Sequence, residues 1–256
     1  MSKILYEKKG RIAYITLNRP RLNVIDLEMV KDLHDTWDDF RDDDNLWVAI
    51  LSGAGNNFSA GFDIKDFLHM VERRFEWKDS VMFGDKGCSP GTHSVWKPVV
   101  CALDGVVNGT GLWLALESDI RIATREATFA LGEVRLNVAV EFTGLLTRYM
   151  PQAIPNEMLF TGSGITAERA HNFGLINKIV PREQLLSEAT AIADTLCENG
   201  PMAMRAMKEV VYLGQDLDRN GVLTLSGRFM PVVNSEDTRE GFQAFLEKRK
   251  PIWKGK

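Results

Sequence analysis

The stretch KPVVCALDGVVNGTGLWLALESDIRIAT, residues 97–124, decides how the chain is read. Residues 99–103 are an apolar run closed by Asp104-Gly105, which predicts a short buried strand. Asn108-Gly109-Thr110-Gly111 then places two glycines within four residues and runs directly into Leu112, Trp113, Leu114, Ala115 and Leu116. Glycines before an apolar run mark a phosphate loop, a bare turn, or a helix start whose N–H groups face a ligand. Residues 120–123 predict a second strand, so the stretch reads as strand, glycine turn, helix and strand, the alternation of an α/β fold.

Outward from this stretch the alternation continues. Residues 11–17 form a strand closed by Asn18 and Pro20, and Leu27, Val30, Leu33, Trp37 and Phe40 recur at helical spacing behind Asp26 as N-cap. Residues 47–51 predict a buried strand, followed by the turn SGAGNN and the segment FSAGFDIKDF; residues 128–131 predict another strand. After about residue 182 the pattern becomes helical, over 182–198, 201–215, 219–232 and 236–249, with breaks at Gly200-Pro201, residues 218–220 and Asn234-Ser235. This divides the chain into an α/β core, residues 1–195, and a helical region, residues 196–256. The helical region carries Met202, Met204, Met207, Leu213, Leu223, Leu225, Phe229 and Met230, which pack either on their own core or on another subunit.

Composition excludes several classes. With 45% hydrophobic and 26% charged residues the chain has the balance of a globular protein, and a net charge of −4 supplies no basic field for nucleic acid or an anionic membrane surface. No apolar run reaches the ~18 residues of a membrane span, and residues 1–20 lack the pattern of a signal peptide. Cys88, Cys101 and Cys197 are far apart without CxxC spacing, which fits a reducing, cytoplasmic setting. Histidines at 34, 69, 93 and 171 show no ligand spacing, so no metal is expected.

Two glycine turns each follow a strand and precede a helix: residues 59–65, SAGFDIK, and Gly109-Thr110-Gly111. Side by side, their free N–H groups would converge on one oxygen as an oxyanion hole; apart, each is a structural turn. A nucleotide site is the weaker reading of the second turn. Trp113 and Leu114 occupy the place of a third glycine, and no Walker lysine follows.

The segments FSAGFDIKDF, KPVVCALDG leading to Gly109-Thr110-Gly111 and Ser118-Asp119-Ile120, ATFALGEV, Leu159-Phe160-Thr161-Gly162 with GLINKIVP, and EGFQAFLEKRKPIW stand in one order along the chain. Together they resemble the enoyl-CoA hydratase/isomerase, or crotonase, superfamily from about residue 4 to residue 254. The resemblance implies a crotonase (ClpP/crotonase-like) spiral of ββα units with a helical C-terminal oligomerisation region, assembling as a homotrimer or homohexamer. It implies an acyl-CoA thioester substrate, with CoA as part of the substrate and no other cofactor, and an enolate held by two backbone N–H groups, at Ala60 and Thr110. Asp63, Ile64 and Lys65 are implied to meet CoA, Lys65 also being readable as an ordinary surface lysine. Phe245 and Lys248, in an AFxEK pattern, are implied to reach the CoA of a neighbouring subunit.

Hydratases of this kind use two glutamates, and here the first position is occupied by Trp113, read as an acyl-pocket wall, while the second is kept as Glu133. The middle glycine of the usual triplet is Thr110, which puts the geometry of that donor in question. Glu141, eight residues after Glu133, is either a second catalytic acid, as in similar dienoyl-CoA isomerases, or a helix-start acid. His69, Arg73, Arg74 and His93 lie in a segment that shapes the acyl pocket in similar proteins and receive no role. The expected activity is proton transfer by Glu133 on a thioester enolate, as an isomerase or specialised hydratase. The alternatives are hydrolysis of a β-diketone C–C bond and acyl-CoA binding without catalysis.

Overall fold

The computed structural model describes residues 2–73 and 87–256. Its strands in chain order are β1 (Ile4–Lys9), β2 (Ile12–Leu17), β3 (Val48–Gly53), β4 (Val99–Leu103), β5 (Val106–Asn108), β6 (Ile120–Thr124), β7 (Thr128–Ala130), β8 (Ile165–Thr166) and β9 (Lys178–Val180). They form a six-stranded sheet in the order β1-β2-β3-β4-β6-β9 and a three-stranded sheet in the order β5-β7-β8. The β1–β2 pair is an antiparallel hairpin, and β2, β3, β4, β6 and β9 then pair in parallel. In the small sheet β5 and β7 are parallel and β8 is antiparallel to β7.

Period-two alternation sends each central strand's side chains to both faces of the large sheet. Ile15, Leu17, Ala49, Leu51, Val99, Cys101 and Leu103 join the larger core with Val30, Leu33, Trp37 and Phe40 of helix α1 (Leu27–Asp42). Ile12, Val48, Ile50, Val100, Ala102 and Ile122 face the other way, onto Ala189 and Ala193 of α6 (Leu185–Cys197), where alanines let the helix lie close. Asp26 caps α1 by accepting the Met29 N–H at 2.9 Å, and the Trp37 indole fixes the segment after residue 86 by donating to the Cys88 carbonyl at 2.8 Å.

The remaining helices are α2 (Ile64–Glu72), α3 (Thr110–Leu116), α4 (Ala153–Thr161), α5 (Ala167–Asn172), α7 (Pro201–Gly214), α8 (Arg219–Thr224), α9 (Met230–Val233) and α10 (Glu236–Glu247). The expected helix 219–232 is broken into α8, a 3-10 turn at Leu225–Arg228, and α9. Pro231, in the first turn of α9, has no N–H to continue a helix from residue 227. Residue 195 lies inside α6, which is packed on the sheet, so the break before the last helices falls at Gly200-Pro201 and not at 195. Strands β1, β5, β8 and β9 are additions to the sequence-based expectation; the last three have only two or three residues, too short for a periodic signal. Among the described residues no helix is long and apolar enough to cross a membrane.

Candidate active site

The two glycine turns touch. Ser59 bridges Val107 in parallel: its N–H donates to the Val106 carbonyl at 2.9 Å, and the Asn108 N–H donates to the Ser59 carbonyl at 2.9 Å. Both chains then leave the bridge through glycine. A Cβ on Gly61, at φ +96°, would lie 2.9 Å from the Asn108 carbonyl oxygen, and one on Gly111 would lie 2.7 Å from Ser59 Cβ. Such backbone contact is open only to glycine. The Asn108 amide adds a hydrogen bond of 3.2 Å to the Ala60 carbonyl, tying one turn to the other.

Counting the N–H groups of these turns identifies the free donors. Ala60 donates to the Leu22 carbonyl at 2.8 Å, Gly61 to Ser59 Oγ at 3.1 Å, and Asp63 to the Ile25 carbonyl at 2.8 Å. The Ala60 expectation is therefore corrected, because that N–H is already committed within the fold. Phe62 pairs with Ile25 through a parallel bridge whose hydrogen bonds use Gly61 and Asp63, which directs the Phe62 N–H away from residue 25. Among the described residues it has no acceptor. In the second turn Gly109 donates to the Ala130 carbonyl at 3.2 Å, while Thr110, as the first residue of α3, has no acceptor among the described residues. The positive φ of this turn, +52°, falls on Gly109 and not on Thr110, which is why a threonine replaces the middle glycine without backbone strain.

These donors open on a cleft of about 610 Å³ lined by Phe62, Lys65, Asn108, Thr110 and Glu133, with Val24, Phe67, Leu136 and Val140 as apolar wall. Glu133 begins a 3-10 turn, Glu133–Leu136, just after β7 and brings Oε1 against Gly109, where a Cβ would lie 2.5 Å away. Its Oε2 is buried without a hydrogen-bond partner among the described residues, and burial pushes the carboxyl above its ordinary value. A proton-accepting group thus stands beside the free N–H groups in an apolar cleft. Asp63 and Ile64 also line the cleft, but Asp63 caps α2 through the Lys65 N–H at 3.0 Å and pairs with Arg19 at 2.7 Å. The Arg19 guanidinium holds the Asp63 carboxyl below its usual range.

The other expected residues lie elsewhere. Trp113 is 8% exposed, stacks on Phe142 with centroids 5.0 Å apart, and lines a separate cavity together with Glu117 rather than the cleft. Glu141 opens the 3-10 segment Glu141–Arg148; its side chain, like Arg74, is outside the described residues. Phe245, on α10, is exposed and lines an apolar hollow with Met202, Phe242 and Trp253; neither it nor Lys248, the α10 C-cap, lines the cleft of this protomer. His69 and Arg73 are exposed at α2, away from the cleft lining. His93 is buried on α1, with ring nitrogens 2.9 Å from Asp38 and 2.6 Å from the Gly87 carbonyl. His34, Asp38 and His93 approach within 4.8 Å, a grouping that sequence spacing did not disclose, and Arg41 pairs with the Asp38 carboxylate at 2.6 Å. Sequence reading gave no role to two residues whose surroundings stand out. Phe62 follows the positive-φ glycine, but its free N–H depends on a bridge to residue 25; Glu117 is one helical turn beyond Trp113, an acid in an apolar run.

The profile of the enoyl-CoA hydratase/isomerase family matches residues 7–256. Carnitinyl-CoA dehydratase of Salmonella paratyphi A is 37% identical, with 100% of each chain covered. Among solved structures, an enoyl-CoA hydratase from Mycobacterium tuberculosis H37Rv superposes with a TM-score of 0.90 at 33% identity, covering 99% of both chains. An enoyl-CoA hydratase/isomerase from Mycobacterium paratuberculosis gives 0.92 at 29% identity, covering 100% of this chain and 99% of its own. The two-sheet α/β architecture is the crotonase fold of these neighbours.

Proposed function

The chain belongs to the enoyl-CoA hydratase/isomerase family, whose members act on acyl-CoA thioesters, and from that premise we propose a reaction for its cleft. The thioester carbonyl oxygen is held between the N–H groups of Phe62 and Thr110, and Glu133 moves the proton. Removing an α-proton places negative charge on that oxygen, and two fixed donors in an apolar site stabilise it without reorganisation. The observation that carries the reading is the position of Glu133: its Oε1 rests on Gly109, within the same turn that presents the Thr110 N–H.

The likeness to carnitinyl-CoA dehydratases favours reversible addition and elimination of water across an enoyl double bond. One carboxylate can serve both steps by taking the α-proton and returning it to the departing hydroxyl on the same face. Double-bond isomerisation is the second reading. It is favoured by Trp113 at the other acid position, which leaves one mobile proton at the cleft. Product identification with crotonyl-CoA and 3-hexenoyl-CoA in deuterated water separates the two. Hydration gives a 3-hydroxyacyl product, isomerisation gives conjugated enoyl product with label and no hydroxyl, and α-exchange that persists in Glu133→Gln refutes the role of Glu133.

A further inference from the structure

Asn108, the last residue of β5, lines the cleft and stands between its two glycine turns. Its backbone carbonyl lies against Gly61, its side-chain amide donates to the Ala60 carbonyl at 3.2 Å, and the next residue, Gly109, is the one on which Glu133 Oε1 rests. The bond to Ala60 uses the NH₂ group, so the amide oxygen Oδ1 is turned away from that carbonyl. Oδ1 is buried, and no group among the described residues donates to it. Among the described residues Glu133 Oε2 is the other oxygen of the cleft lining that is buried without a partner. The Asp63 carboxylate, by contrast, is committed to Arg19 and to the start of α2. The backbone gives no reason for asparagine at 108, since the residue does not have positive φ. A leucine of similar size would be buried there without the cost of an unpaired acceptor.

We propose that Asn108 Oδ1 is a positioning acceptor that holds the attacking water, and in the reverse direction the substrate's 3-hydroxyl, beside Glu133. It takes the part of the second acid, whose sequence position Trp113 occupies. The inference rests on the proposed function, in which Phe62 and Thr110 hold the thioester oxygen and Glu133 moves the proton. A water molecule has two protons to direct. The Glu133 carboxylate takes one, and an amide oxygen accepts a hydrogen bond from the other without removing it, which leaves an oxygen lone pair for the β-carbon. The Cβ–O bond then forms, the double-bond pair moves onto the thioester as the enolate, and Glu133 returns its proton to the α-carbon. The hydrogen donated to Oδ1 stays on the product hydroxyl, so Asn108 is unchanged. An amide does this without placing a second negative charge beside a carboxyl that is already buried. Double-bond isomerisation has no use for such an acceptor, so the role of Asn108 also separates the two readings of the cleft.

The test measures two rates on one protein: hydration of crotonyl-CoA, and exchange of the α-protons of butyryl-CoA with deuterated water. Exchange needs the two N–H groups and Glu133 but no acceptor for water. Asn108→Leu, checked for a native circular dichroism spectrum, is expected to lower hydration at least about tenfold while exchange stays within about twofold. A merely structural role, through the tie to Ala60, would disturb the donors and lower both rates together. Calorimetric titration with the unreactive thioethers S-butyl-CoA and S-(3-hydroxybutyl)-CoA needs no turnover. The hydroxyl is expected to tighten binding about fivefold in the parent protein and to make no difference in Asn108→Leu. That pattern supports the acceptor even if exchange survives in Glu133→Gln, and in that case the proposed function fails alone. Equal binding of the two thioethers by the parent, unchanged hydration in Asn108→Leu, loss of both rates together, or a parent that exchanges α-protons and forms no 3-hydroxyacyl product overturns the proposal.

Discussion

Glu133 combines two features that are rarely combined in a surface carboxylate: an oxygen buried without a partner and a position against a glycine Cα. Burial disfavours the charged form, so the acidic limb of the kcat/KM profile is expected above 4.5, the ordinary value for this group, when Glu133 acts as base. Glu133→Gln is expected to lower turnover by ~10²–10⁴ with little loss of thioester affinity, checked by steady-state kinetics beside equilibrium binding. In the proposed reaction Phe62 acts through its backbone N–H, so Phe62→Leu is expected to keep most of the activity while Glu133→Gln is not. Glu117 gives a stability signature of its own. Its folded value of about 7 lies above the ordinary 4.5, so the native state holds the proton more tightly, and stability falls as pH rises between those values. Full ionisation above pH 7 costs the native state about 3 kcal/mol, which Glu117→Gln removes. Urea unfolding at pH 5 and pH 9 should show the variant gaining on the parent as pH rises; equal pH dependence would contradict this.

At the scale of elements, helix α3 and the two glycine turns carry the site. Every residue of α3 is buried, so the helix is fixed in place and a change at one position cannot be absorbed by fraying. Trp113→Glu would restore the acid that hydratases place there, but the carboxylate would be buried opposite Phe142 in space shaped for an indole. It is expected to destabilise by about 3 kcal/mol or more, through the lost aromatic volume and the buried charge, and not to raise hydration of crotonyl-CoA. Denaturant midpoints and initial rates check both parts. Gly109→Ala is expected to lower kcat more than it lowers stability. It places a Cβ 2.5 Å from Glu133 Oε1 at φ +52°, and the side chain that must give way is the proposed base.

Across the whole molecule, the large sheet is covered on both faces, whereas the helices after Pro201 leave Met207, Val211, Met230, Val233 and Phe245 exposed. The exposed apolar set on α7 to α10 is the surface the expected oligomer would bury, and light scattering is expected to give three or six protomers. Val211→Asp should shift that distribution toward single protomers; a monodisperse monomer in the parent protein would refute the interface. How far the sequence alone reached follows from the range of each interaction. Strands β2, β3, β4, β6 and β7, helix α1 with its Asp26 cap, and the breaks of the helical region were legible, because apolar period, turn residues and caps act within a few residues. The resemblance brought Thr110 and Glu133, as numbered positions, to one site before any coordinates did. The availability of an N–H was not legible, since Ala60 is spent on Leu22 and Phe62 left free by residues almost 40 positions away in the chain. Nor was the partition of α3 between two cavities, because it depends on residues 91–96 and 208–212 closing over one helix face. The sequence by itself determined the elements and the chemical groups; the tertiary structure decided which of those groups remain unpaired, because pairing is set by contacts between segments distant in sequence.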